Sequence, residues 1–241
     1  MKISRLTFIT VFVFSSLVGV NHSYAAGEES SGSSRAAITF TSGSGPVEPS
    51  NPTNPTNPLF PGGPTDPTDV PTGNTGPLTL DYVSSVEFGS HEISNKTVEY
   101  SSTSKKPFIQ VSDRRGTGAG WSVIAIASKF SNGTTDSLPG AVLSFKNATV
   151  NSIGTGISPI AVQTVALSTD GNTASPVVSS STGTGLGTWL TSWLGANPDV
   201  NDGELNNNVT LTIPAGSATV GNHEATITWT LTDAPGVYRE K

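Results

Sequence analysis

From Ala225 to Thr232 the chain alternates strictly. Ala225, Ile227, Trp229 and Leu231 point one way, and Thr226, Thr228, Thr230 and Thr232 point the other. A period of two, with β-branched threonines between apolar residues, describes a strand buried on one face. Pro235 then withdraws a backbone donor and ends it. Trp229 has two possible roles: the large core residue of a β-sandwich, or, with Leu231, part of a binding signature. The two are compatible, because a core strand can define a module whose binding face lies elsewhere.

The same signal recurs in shorter form. Leu78 to Val83, Phe108 to Val111, Trp121 to Ala127, Ala141 to Phe145, Ile160 to Leu167 and Val209 to Ile213 are all rich in β-branched or alternating apolar residues. Turn residues separate them, among them Gly116-Thr117-Gly118, Asn132-Gly133, Asp170-Gly171 and Gly221-Asn222. No stretch holds a 3.6-residue apolar period over three turns. The pattern predicts an all-β fold: an antiparallel β-sandwich or barrel-like module with long loops, over residues 78–241.

Three segments precede that module. Residues 1–26 read as an export signal: Lys2 and Arg5, an apolar run from Leu6 to Val20, then small residues around Ala25. Residues 27–45 contain one short alternating stretch, Arg35 to Thr41, which predicts a strand. Residues 46–77 carry ten of the 17 prolines, in near-repeats such as Asn51-Pro52-Thr53 and Asn54-Pro55-Thr56. This tract reads as a linker or a long loop. A solvated, extended spacer is the favoured form, reaching roughly 95 Å as a polyproline II helix. No second apolar run of spanning length and no LPxTG-type sorting tail follow. The expectation is an exported chain, at the cell surface or partly secreted, that is retained by binding.

Composition narrows what it binds. The chain has no cysteine, so its core must supply the stability that disulfides give other exported proteins. Its net charge is −6, and more negative still without Lys2 and Arg5, which argues against nucleic acid and anionic polymers as partners. Gly116 to Gly120 lacks the Lys-Ser/Thr ending of a phosphate loop, and Asp199 to Glu204 has the wrong spacing for an EF-hand. Two histidines beyond the signal and no Gly-x-Ser-x-Gly elbow leave no metal site or nucleophile to argue for. The expectation is no enzyme and no cofactor.

Asp113-Arg114-Arg115-Gly116-Thr117-Gly118-Ala119-Gly120-Trp121-Ser122-Val123 and Thr226-Ile227-Thr228-Trp229-Thr230-Leu231-Thr232-Asp233-Ala234-Pro235 together resemble the WxL domain of Gram-positive surface proteins. Leu78 to Val83 with Phe88-Gly89-Ser90, and Lys106-Pro107-Phe108-Ile109-Gln110-Val111, resemble it too. The chain departs from the family pattern in Val123, where Leu is usual, and His223, where Tyr is usual. The resemblance implies non-covalent attachment to peptidoglycan. It also implies surface complexes with other WxL proteins or membrane-anchored surface proteins, and for some members contact with host matrix proteins. The alternative is a secreted adhesion or assembly subunit whose main ligand is another protein.

Candidate binding residues follow from both readings. Trp121, Trp229 and Leu231 carry the motifs. Trp189 and Trp193, four apart, offer either a platform on which sugar rings stack or core packing with Leu190 and Leu194. Arg114 and Arg115 either pair locally or meet a stem-peptide carboxylate, which a planar guanidinium suits.

Overall fold

The computed structural model describes residues 31–235, and no residue among them is helical. The predicted export signal and the last residues of the chain lie outside this range. Sixteen strands follow in order. They are β1 (Ser50–Asn51), β2 (Asn54–Pro58), β3 (Leu78–Val83), β4 (Val98–Ser102), β5 (Phe108–Asp113), β6 (Trp121–Ala127), β7 (Phe130–Ser131) and β8 (Asp136–Ser137). After them come β9 (Val142–Lys146), β10 (Thr149–Asn151), β11 (Ile160–Ala161), β12 (Thr164–Ser168), β13 (Ser175–Ser180), β14 (Gly187–Ser192), β15 (Asn206–Ile213) and β16 (Ile227–Thr232). Apart from two short ribbons, β1–β2 and β7–β8, they form three antiparallel sheets ordered β10-β14-β5-β3, β11-β13-β6-β16 and β12-β9-β15-β4. The all-β antiparallel expectation holds.

All three sheets contribute to one apolar core: Leu80 and Val111 from the first, Trp121 and Val123 from the second, Leu143, Phe145 and Leu211 from the third. Phe145 is its hinge point. Its ring lies 4.8 Å from Trp193 and meets Trp229 edge-on at 5.8 Å, spacings at which aromatic pairs attract. Alternation reads directly onto burial in β6, where Trp121, Val123, Ala125 and Ala127 are buried and the residues between them are half-exposed.

β6 and β16 are hydrogen-bonded neighbours, with Leu231 opposite Val123 and Trp229 opposite Ala125. The two Trp-x-aliphatic motifs are therefore one structural unit. Gly120 makes the entry to β6 possible. Its φ is +83°, and a Cβ there would lie 2.5 Å from the carbonyl oxygen of Ser180, so only glycine fits.

Two expectations for the N-terminal third fail. Residues 35–41 form no strand, and Phe40 is 84% exposed. A strand exists through its ladder, and alternation over so few residues does not create one. The proline-rich tract, for its part, is not a solvated spacer. Pro49, Pro52 and Leu59 are buried, and Leu59 forms a second apolar cluster with Tyr82, Phe108 and Leu190 on the first sheet. Polar bonds fix the tract in place. The Ser50 N–H donates to Gln110 Oε1 at 2.8 Å, and Gln110 Nε2 donates to the Glu48 carbonyl at 3.1 Å. The same Nε2 and the Ser112 hydroxyl donate to Asp81, whose carboxyl pKa is raised by burial against the lowering effect of these bonds. Proline rings and one leucine supply the apolar cover here, so the scarcity of aromatics did not prevent packing.

Candidate functional site

Three of the four tryptophans are buried, and the fourth, Trp229, is half-buried. Trp121 is 1% exposed and donates its indole N–H to the Gly185 carbonyl at 3.1 Å. Trp189 is 5% exposed and donates to the Leu186 carbonyl at 3.0 Å. Trp193 is 1% exposed, and the half-buried Trp229 rests against it with ring centroids 5.9 Å apart. A stacked sugar needs a free indole face, so of the two roles open to Trp189 and Trp193 the structure gives them core packing. Leu231 is half-buried on the same inward side of β16.

The arginines are occupied locally. Asp113, itself buried, accepts from Arg115 Nε at 3.0 Å and Nη2 at 2.8 Å, and that fork holds the guanidinium pKa above its usual value. Arg115 Nη2 also donates to the Gly120 carbonyl at 2.7 Å, which secures the turn into β6. Arg114 Nη2 donates to the carbonyls of Gly45 and Gly76, joining the two ends of the proline-rich tract. Asp113 thus takes up the fork of Arg115, and Arg114 commits its Nη2 to the two ends of the tract. The acidic loop after Asn197 is equally engaged: Lys106 pairs with Asp199 at 2.8 Å and Lys105 with Asp202 at 2.9 Å. Those lysines hold both carboxyl pKa values below the ordinary range.

The structure instead presents a cleft of about 810 Å³, within the roughly 300–1,000 Å³ of ligand sites. It opens between β4 and β16, each the last strand of its sheet. Its floor comes from Leu143, Leu211, Ile213 and Trp229, and its walls from Phe88, Tyr100 and Phe130. The loops at 84–97 and 214–226 form the rim, where Ile93 (53%) stands exposed.

Hydrogen bonds set that rim. The Glu87 carbonyl accepts from the Thr103 N–H and the Ser102 hydroxyl, both at 2.8 Å, and Asp69 accepts from Ser85 N–H at 2.9 Å. Glu224 and Ser131 exchange backbone bonds at 2.8 and 2.9 Å. His223 Nε2 faces the Thr219 carbonyl at 2.9 Å and so carries the proton there, while Nδ1 meets the Ser137 hydroxyl at 2.9 Å. His91 lies on the Tyr100 ring, centroids 4.2 Å apart.

Four acids line the cleft, Asp69, Glu87, Glu92 and Glu224, and no lysine or arginine is among the described residues there. Such a surface favours neutral or amine-bearing ligands over polyanions. Sequence reasoning noticed Phe88 and His223 only as points of family likeness and missed Tyr100 and His91. The signal was the short Val86-Glu87-Phe88 alternation outside any strand, which becomes meaningful only once two sheet edges face it.

A family model described as the WxL domain, surface cell wall-binding, matches residues 27–235. Comparison with curated proteins and with solved structures returned no match. The matched span takes in both Trp-x-aliphatic motifs, the sheet in which they pair and the whole cleft. The chain belongs to the WxL family of cell-surface, cell wall-binding domains.

Proposed function

We propose that this surface protein attaches non-covalently to peptidoglycan through the β4–β16 cleft and works there as a non-catalytic subunit of a surface assembly. The observation that carries the reading is the lining of the cleft: an apolar and aromatic floor, an acidic rim and no lysine or arginine among the described residues. A neutral glycan can lie on Tyr100 and Phe88, and an amine of a stem peptide can meet Glu87, Glu92 or Glu224. Polyanionic wall polymers meet repulsion at the same rim.

Co-sedimentation of the purified chain with peptidoglycan stripped of protein and anionic polymers tests it. The expected result is pelleting that survives high salt and is lost in a His91→Ala/Tyr100→Ala variant of unchanged thermal stability. Wild-type protein that stays in the supernatant overturns it.

A second reading rests on the free edges of β4 and β16 flanking the cleft. An extended partner segment can pair with such an edge while its side chains fill the groove, making the partner protein the main ligand. Loss of pelleting from peptidoglycan, with retained binding to a surface protein of the same cell, favours this alternative.

A further inference from the structure

Lys106 and Asp66 form an ion pair with side chains only 2% and 3% exposed, Nζ against Oδ1. Lys106 leads through Pro107 into the fully buried Phe108, whose ring stacks on Tyr82 at 4.7 Å. Burial, then the charges of Asp69 and Asp66, push the Tyr82 hydroxyl pKa up, which places Asp66 beside the same cluster. Taking two charges out of water is costly, and joining them as a neutral amide removes both.

The two Asp66 oxygens keep different company. Oδ2 accepts from the Gly63 N–H and from Asn51 Nδ2. Glycine permits that approach, since a Cβ at position 63 would stand 3.3 Å from Oδ2. Oδ1 is buried and has only Lys106 against it. A third group completes the arrangement. Lys106 Nζ also donates to Asp199 Oδ1 at 2.8 Å, and the Thr53 hydroxyl orients that same oxygen at 2.9 Å. The Asp199 side chain is 61% exposed, so it can exchange protons with water.

We propose that Lys106 and Asp66 condense into an intramolecular amide that staples the proline-rich tract to the head of β5. Lys106 Nζ attacks Asp66 Cγ. Oδ2, held by its two donors, takes up the negative charge of the tetrahedral intermediate and remains as the amide oxygen. The Cγ–Oδ1 bond breaks, and Oδ1 leaves as water with the two protons that the ammonium gives up, one of them relayed by Asp199. One ammonium and one carboxylate become one amide and one water, with no change of oxidation state. In a chain without cysteine, the bond closes the segment between residues 66 and 106 as a disulfide would.

Intact-mass measurement on the folded, purified chain, denatured just before injection, is the test. The expected mass is one water below that of the sequence, and proteolysis releases a branched peptide joining Asp66 to Lys106. Lys106→Arg, which keeps the ion pair, and Asp199→Ala both show the full mass while retaining the far-ultraviolet circular dichroism of the parent. Full mass in the folded wild-type chain overturns the proposal. So does a missing water that maps elsewhere, for example to a cyclised Asp202-Gly203. Condensation that persists in Asp199→Ala removes the relay from it.

Discussion

Trp121-Ser122-Val123 and Trp229-Thr230-Leu231 are near-copies lying side by side, yet their strands live in different surroundings. β6 has a neighbour on each edge, and its Trp121 is sealed to 1% exposure. β16 hydrogen-bonds to β6 alone, its inward residues are half-buried, and its threonines face outward. The motif therefore specifies a pair of strands, and place within the sheet decides how much each tryptophan contributes. It also separates the signature from the site: of the motif side chains only Trp229 reaches the cleft, and it does so as part of the floor.

The contrast can be tested by substitution. Trp121→Ala should cost about 3–5 kcal/mol in urea unfolding, since it empties a sealed site and orphans the Gly185 carbonyl. A loss smaller than that of Trp229→Ala would break the comparison. Gly120→Ala should cost about 3 kcal/mol, because the positive φ and the contact with Ser180 both penalise a Cβ. A melting temperature equal to the parent's would show that the entry to β6 can relax. Trp229→Ala should cost about 2 kcal/mol, part of its indole already being in water, and should weaken pelleting with peptidoglycan as well. Unchanged pelleting would detach the floor of the cleft from wall binding. Thr230→Ala, on the outward face of β16, should stay within about 0.5 kcal/mol of the parent; a larger loss would mean that this face is covered in the assembled protein.

Legibility in the sequence followed the same division. Local alternation sufficed for β6 and β16, because burial on one face leaves a period of two in the residues themselves. It did not suffice for Arg35 to Thr41, where the pattern is present without a ladder. The proline-rich tract misled for a different reason: Leu59 and the rings of Pro49 and Pro52 bury apolar surface without producing any period. The cleft was hidden because Tyr100, Phe88 and Trp229 come from three separate segments, and only sheet order brings them to one opening. The local engagement of Arg114 and Arg115, by contrast, was one of the two roles their sequence allowed.

The adjacency of β6 and β16 bears on when the protein can fold. Of the two neighbours of β6, β16 lies far along the chain, so the second sheet remains incomplete until β16 has been synthesised. Contacts so distant along the chain make for slow folding, because the loop between them must be closed before pairing repays it. The second sheet therefore cannot be completed by any one local stretch: a break in the chain anywhere between β6 and β16 turns the closing of that sheet from a loop closure into an association of two pieces.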